Sequence, residues 1–259
     1  MVVTDMDGTL LDRSGREVSP RNAEALSRAS QAGARVVVAT GRPVAWLGPV
    51  IRAGFTGTAV CMNGAVVYDI AAGRILSSTL LAPATMQAFV LDLEQLAPDH
   101  ALAVERAGTT TEDFWAEAHY IHPWDDGEYR RAARAELLAN PAAKLLVRQG
   151  SSSGPLREAA QLAARDRVQV TFSTDDGLVE VAAAGVTKGS ALEALATGWG
   201  IAAAEVVAFG DMPNDLEMLR WAGMSVAMAN AHPDVLEAAA EVGPHHAADG
   251  VALVLERWF

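Results

Sequence analysis

Asp5 and Asp7 flank Met6, and Gly8 and Thr9 follow them. Two carboxylates separated by one residue can bind a hard divalent cation through oxygen, and they can divide the work of nucleophile and general acid/base. An Asp-x-Asp-Gly run also occurs in calcium loops and ordinary turns, so the pair alone leaves both readings open. Three further segments bring matching chemistry. Residues 36–42 form a continuous apolar run ending in Thr40, Gly41 and Arg42, which delivers a hydroxyl and backbone N–H groups able to hold an anion. Lys188 follows Thr187 and precedes an Ala/Leu-rich stretch over 190–195, where a compact cation meets a phosphate near a helix start. Residues 206–215 form another apolar run, closing on Asp211, Met212, Pro213, Asn214 and Asp215. The four carboxylates that 5–7 and 211–215 collect at strand ends need a cation.

The elements that must carry these residues alternate. A strand over 2–4, a helix over 20–32 with Ser19 as N-cap and Gly33 as terminator, and a strand over 35–39 make a βαβ unit. A helix over 43–53, a strand over 59–62 and a hairpin of 66–69 with 75–79 follow. After Lys188 the alternation returns: helix 189–198, strand 206–208, helix 214–221, strand 224–227, helix 233–239 and helix 250–257. This is the pattern of an α/β fold with a doubly wound, parallel-sheet, Rossmann-like core, and such sheets place their chemistry at the C-terminal edge of the strands. Between 82 and 182 the pattern changes to helix 83–96, strand 101–106, helix 128–139, strand 144–148, helix 155–165 and strands 168–173 and 178–182, with 151–154 as a loop. That segment is expected to be an inserted α+β domain, with 1–81 and 183–259 forming the doubly wound core.

In order, these segments resemble the haloacid dehalogenase (HAD) superfamily of phosphohydrolases, whose motifs are an Asp-x-Asp start, a strand-end Thr or Ser, a Lys, and a Gly-Asp-x-x-x-Asp turn. The spacing is similar to the Cof-type branch, with a large cap between the second and third motifs. Asn63-Gly64-Ala65, Gly185-Val186-Thr187-Lys188-Gly189, Ala227-Met228-Ala229-Asn230-Ala231 and Asp249-Gly250-Val251-Ala252 extend the likeness. The resemblance implies that Asp5 is the nucleophile and Asp7 the general acid/base. It implies Mg2+ held by the Asp5 carboxylate, the Asp7 backbone carbonyl and Asp211. Thr40, the Gly41 amide, Lys188, Asn214 and the Met6 amide would hold the phosphoryl oxygens, and Asp215 would orient Lys188 or metal waters while also suiting a helix N-cap. Arg42 reads equally as a structural residue. Met212-Pro213 and Ala182-Ala183-Ala184 depart from the branch's usual residues; the first stiffens a turn, and the second lies in one of the two expected hinges, at 80–83 and 182–186.

The implied activity is a magnesium-dependent phosphatase acting on small phosphate monoesters, with sugar phosphates foremost and flavin mononucleotide or pyridoxal phosphate as further options. A phosphomutase or phosphotransferase is the alternative, since the same aspartyl phosphate can pass its group to a sugar. A non-catalytic phospho-acceptor is the third reading, which leaves Asp7 and the cap without a task. Cap residues expected to set specificity are Glu105, Arg106, 109–113, Trp115, His119, Asp175 and Asp176.

Composition agrees with a core plus a smaller unit: 259 residues, 51% hydrophobic and 20% charged. A net charge of -12 argues against nucleic acid as a partner. No apolar run reaches the ~20 residues of a membrane helix, and the first residues lack a secretion-signal pattern, so a cytoplasmic protein without membrane contact, monomeric or homodimeric, is expected, with a small phosphorylated metabolite as its partner. Cys61 is the single cysteine and reads as buried. The six histidines have no metal-ligand spacing, and His100, His119, His122 and His232 read as surface or loop residues.

Overall fold

The computed structural model describes residues 1–121 and 129–259. The chain divides into two compact units, one of Met1–Arg42, Trp46–Ser77 and Thr187–Phe259, the other of Pro43–Ala45 and Ser78–Val186. The first unit begins with β1 (Val2–Thr4), α1 (Pro20–Gln31), β2 (Val36–Ala39), α2 (Gly48–Arg52), β3 (Thr58–Cys61), β4 (Val66–Asp69) and β5 (Arg74–Ser78). Every residue of β1 and β2 is buried, as strands covered on both faces require. Each fully buried valine contributes about 1.5–3 kcal/mol. The Ser19 hydroxyl accepts from the Asn22 amide and Pro20 opens α1, the expected N-terminal signature. The expected helix over 43–53 is instead a short turn (Val44–Trp46) and then α2, because Gly48 and Pro49 interrupt the hydrogen-bond ladder.

The second unit contains α3 (Pro83–Leu96), β6 (Ala101–Glu105), β7 (Phe114–Ala116), β8 (Arg130–Arg131), α4 (Arg134–Leu137), β9 (Lys144–Arg148), α5 (Ser153–Ala164), β10 (Val168–Thr171) and β11 (Leu178–Ala183). Its six strands run in the order β10-β11-β9-β6-β7-β8. Leu102, Val104, Leu145, Val147, Val179 and Val181 share one face of this sheet and form a single apolar cluster with Phe89 and Leu93 of α3 and Leu156 and Ala160 of α5. Alternate positions Ala101, Ala103, Leu146 and Leu178 face the other way, with Phe114 and Tyr120. The expected helix over 128–139 is corrected here. Glu128 lies outside the described residues, Arg130 and Arg131 pair in parallel with Trp115 and Ala116, and only Arg134–Leu137 is helical. Helix propensity lost to packing: the Arg130 guanidinium stacks over Trp115 at 4.0 Å and that of Arg131 over Tyr129 at 4.2 Å. The expected loop over 151–154 likewise gives way, since Ser153 and Gly154 start α5, where the Ser153 amide donates to Asp175.

The chain then completes the first unit with α6 (Lys188–Trp199), β12 (Val207–Gly210), α7 (Leu216–Trp221), β13 (Met224–Ala227), α8 (Pro233–Ala238), β14 (Glu241–Val242) and α9 (Gly250–Leu255). Its eight strands run β14-β13-β12-β1-β2-β3-β4-β5, with β14 through β3 parallel and β4 antiparallel to β3. The strand order reverses at β1, with β2 on one side and β12 on the other. Among the described residues no helix is long and apolar enough to cross a membrane.

Candidate active site

Register sets the site. Thr4 pairs with Phe209 on one side and Val38 on the other, so parallel β1, β12 and β2 end together and release Asp5, Asp211 and Thr40 at one edge of the sheet. The Asp5 amide still donates to the Phe209 carbonyl at 3.0 Å, holding Asp5 at the last rung. Beyond it the chain makes one wide turn, Met6–Leu10, closed by the Leu11 amide on the Met6 carbonyl at 2.9 Å. Gly8 takes φ 73° inside that turn, and a Cβ there would fall 2.2 Å from Asp211 Oδ2. Only glycine lets the first turn approach the Asp211 carboxylate this closely.

Lys188, 1% exposed, donates to Asp5 Oδ1 at 2.6 Å and to Asp215 Oδ1 at 2.7 Å. It can stand there because Thr187 caps α6: the Thr187 hydroxyl accepts from the Ser190 amide and the Ser190 hydroxyl accepts from the Thr187 amide. The second oxygen of Asp215 accepts from the amides of Asp211 and Met212, at 2.9 and 3.0 Å. Both oxygens of Asp215 are thus committed to N–H donors. Asp211 Oδ1 accepts from the Thr9 hydroxyl at 2.8 Å.

Asp5, Asp211 and Asp215 bring carboxylate oxygens within 4.8 Å of one another, all buried. Burial pushes the Asp5 carboxyl well above its usual range; Lys188 opposes the rise, and Asp215, Asp211 and Asp7 add to it. Burial and then the Asp215 carboxylate push Asp211 up to about 7. For Lys188, burial acts downward, yet Asp215 and Asp5 outweigh it and hold the ammonium above its ordinary pKa. One ammonium does not balance these carboxylates, and a hard divalent cation suits an all-oxygen donor set of this kind.

Thr40 is fully buried; its hydroxyl accepts from the Arg42 amide at 3.1 Å, and its carbonyl accepts from the Asn63 amide at 3.1 Å. Asn63 Oδ1 in turn accepts from Asn214 Nδ2 at 3.1 Å, while Asn214 Oδ1 is buried without a hydrogen-bond partner. Thr40, Asn63 and Asn214 therefore form one linked rim, followed in sequence by Gly41. Asp7 stands apart from the buried carboxylates: its side chain is 52% exposed and lies in the fork of Arg42.

Several residues that position this site carried no role in the sequence reading. Asn63 was visible only as part of a motif. Asn230 Nδ2 donates to the Gly8 carbonyl at 2.8 Å and its Oδ1 accepts from the His246 amide; His246 Nδ1 lies 2.8 Å from the Leu11 carbonyl. Asn22 Nδ2 donates to the Leu10 carbonyl and its Oδ1 accepts from the Ala252 amide. The turn after Asp5 is thereby pinned from behind. The available signal was a polar residue embedded in an apolar pattern, as Asn22 is among Ala25, Leu26 and Ala29.

The candidate specificity residues make their contacts inside the second unit. Glu105 is 3% exposed and 3.1 Å from Lys144, which also donates to Glu180 at 2.7 Å. Burial pushes the Glu105 carboxyl up to about 7, against the pull of Lys144. Arg106 donates to the Leu137 carbonyl at 2.8 Å and stacks on Trp115, Asp113 accepts from the Thr110 amide and hydroxyl, and Asp176 pairs with Arg148 at 2.5 Å. His119 is exposed near Glu117, and His232 is partly exposed. His100, expected at the surface or in a loop, is a loop residue with no exposure, since its Nδ1 reaches back to the Ala97 carbonyl at 2.8 Å. His122 lies outside the described residues. Cys61 is buried at the end of β3, as expected.

A family model described as haloacid dehalogenase-like hydrolase matches residues 2–255. The putative phosphatase YxeH of Bacillus subtilis (strain 168) is 29% identical over 249 residues, covering 92% of this chain and 90% of that protein. The HMP-PP phosphatase of Serratia proteamaculans is 30% identical over 267 residues, covering 98% and 93%. A chloroplastic endoribonuclease YBEY of Arabidopsis thaliana is 27% identical over 271 residues, but the chain spans only 46% of its length. Among solved structures, a haloacid dehalogenase-like hydrolase from Bacteroides thetaiotaomicron superposes with a TM-score of 0.78 at 26% identity, covering 100% of this chain and 98% of that one.

Proposed function

The chain belongs to the haloacid dehalogenase-like hydrolase family, and from that membership we propose that it is a phosphatase that hydrolyses small phosphate monoesters through a phosphorylated Asp5. The observation that carries the reading is the Asp5 carboxylate at the end of β1, with Lys188 Nζ 2.6 Å from one oxygen and Asp211 beside it. The Asp5 carboxylate oxygen attacks phosphorus, the bond from phosphorus to the ester oxygen breaks, and that oxygen takes a proton from Asp7. Water then attacks the aspartyl phosphate, giving its proton to Asp7; the bond from phosphorus to Asp5 breaks, releasing phosphate and restoring the carboxylate.

Lys188, the Thr40 hydroxyl, Asn214 and the amides of Met6 and Gly41 hold the phosphoryl oxygens in this reading. Asp215, with both oxygens engaged by N–H groups, orients Lys188 and the turn that carries Asp211. Mg2+ would be held by the Asp5 and Asp211 carboxylates and the Asp7 carbonyl. When bound it supplies positive charge to the phosphoryl oxygens and to these buried carboxylates.

For substrate class we favour sugar phosphates. A net charge of -12 opposes extended polyanions and leaves small monoesters, which a locally positive pocket can bind. The test is phosphate release from a panel of sugar phosphates, nucleotides and pyridoxal phosphate, with magnesium and with chelator, using Asp5→Asn as the blank. Acid-quenched wild type that retains labelled phosphate, with Asp5→Asn retaining none, supports the covalent route. Undiminished turnover by a folded Asp5→Asn removes it.

A further inference from the structure

Asp7 lies in a bidentate fork. Arg42 Nε donates to Asp7 Oδ2 at 2.7 Å and Arg42 Nη2 to Asp7 Oδ1 at 2.5 Å. The guanidinium is itself anchored, since Nη2 also donates to the Gly15 carbonyl at 2.7 Å. Arg42's main chain is held as well: its amide donates to the Thr40 hydroxyl at 3.1 Å and its carbonyl accepts from the Met62 amide at 3.1 Å. Among the described residues no other side chain hydrogen-bonds Asp7, whose own side chain is 52% exposed against 20% for Arg42.

An exposed, short carboxylate beside a glycine at φ 73° has no packing to choose its rotamer. A group that must hand a proton to one oxygen and take it from another cannot be left to sample directions, because a misplacement of about 1 Å costs about 10²-fold in rate. A planar guanidinium matches both carboxylate oxygens and so fixes the plane of the group as well as its distance, which a lysine ammonium cannot do. A guanidinium offers only N–H donors, so it steers the carboxyl without accepting a proton from it.

We infer that Arg42 is a positioning residue for Asp7: its fork aims the Asp7 carboxyl at the ester oxygen, and its main-chain bond to Thr40 sets that aim relative to the phosphate-holding rim. The inference rests on the reading of Asp7 as the general acid/base. It adds a dedicated steering group from the second motif to the acid of the first.

The test compares kcat/KM on an alkyl phosphate, glucose 6-phosphate, whose leaving oxygen needs the proton, with p-nitrophenyl phosphate, whose leaving group barely does. Wild type, Asp7→Asn, Arg42→Met, Arg42→Lys and the Asp7→Asn/Arg42→Met pair are measured, each with a melting curve. Arg42→Met is expected to lose about 10–10²-fold on the alkyl ester and under about threefold on the nitrophenyl ester. Arg42→Lys should fall between, and the Arg42 effect should vanish in the Asp7→Asn background. Equal losses on both esters in folded Arg42→Met and Arg42→Lys, or an undiminished Arg42 effect without Asp7, overturns the inference while leaving Asp7 as the acid. If Asp7→Asn itself shows no preference between the esters, the acid assignment falls and the inference falls with it.

Discussion

The hydroxyl of Thr9 donates to Asp211 Oδ1 at 2.8 Å, joining residues 202 positions apart. It fixes the direction of a carboxylate assigned to the metal, and it does so from the same turn that carries Asp7.

Replacing Thr9 with valine keeps the shape and removes the donor. Supporting groups of this kind are worth about 10–100-fold in metal affinity. Thr9→Val is therefore expected to raise the magnesium concentration for half-maximal activity about tenfold while leaving activity at saturating magnesium close to wild type. Magnesium titrations of activity and of binding by calorimetry check this together; an unchanged half-saturation in both contradicts the assignment of Asp211.

Lys188→Met deletes the ammonium that bridges Asp5 and Asp215. Breaking one partner of a buried ionic cluster costs about 3–5 kcal/mol, and losing a preorganised cationic donor costs about 10²–10³-fold in turnover. Both a lower denaturation midpoint and a collapse of kcat are expected. A variant that melts like wild type and keeps its turnover would show that Lys188 neither balances the carboxylates nor holds phosphate.

Gly64 and Gly33 separate two reasons for glycine. Both have positive φ, 104° and 92°, but a Cβ on Gly64 would sit 2.2 Å from the Thr187 carbonyl oxygen, whereas one on Gly33 meets nothing within 4 Å. Gly33→Ala is expected to cost about 1 kcal/mol of backbone strain. Gly64→Ala adds a collision with the residue that caps α6 and should cost about 3 kcal/mol and reduce activity, because Lys188 follows directly. Urea midpoints of the two variants decide it, equal losses counting against the crowding argument.

Glu105 makes stability depend on pH in an unusual direction. Its carboxyl is pushed from 4.5 up to about 7 in the folded chain, chiefly by burial. Between those values the folded form keeps a proton that the unfolded form has lost, so this contribution is full below about pH 4.5 and declines as pH rises toward about 7. Glu105→Gln should flatten that decline, read as the difference between variant and wild-type denaturation midpoints across the interval. A difference that stays constant with pH would show that Glu105 ionises in the fold as it does in water.

The core was legible because its strands are short, wholly apolar runs bounded by turn chemistry. Asp5, Thr40 and Asp211 directly follow such runs or lie one residue beyond them, Asn214 lies in the turn after Asp211 and Lys188 starts α6, so residue type and order were enough to single them out as candidates. Asn63 and Asn230 were not assignable, since their partners, Asn214 and the Gly8 carbonyl, lie far away in sequence and only the register of β1 with β12 and β2 brings them near. The second unit was harder to read. Arg130 and Arg131 sit in a stretch with helix-forming neighbours, and stacking on Trp115 and Tyr129 chose a strand instead. Glu105, one of the candidates for specificity, is held by Lys144 on the adjoining strand β9, and Lys144 also holds Glu180 on β11.

The central place of β1 has a temporal side. On the ribosome β1 emerges shortly before β2 and can pair with it soon after, but β12 on its other flank follows only after the second unit and α6 have been made. The same delay governs the Met6–Leu10 turn: Asn230, which holds the Gly8 carbonyl, His246, which reaches the Leu11 carbonyl, and Ala252, which holds the Asn22 side chain bonded to Leu10, all come after β12. A nascent chain therefore leaves one edge of an apolar strand unpaired while the residues between β2 and β12 are made, which is a natural target for a holdase chaperone.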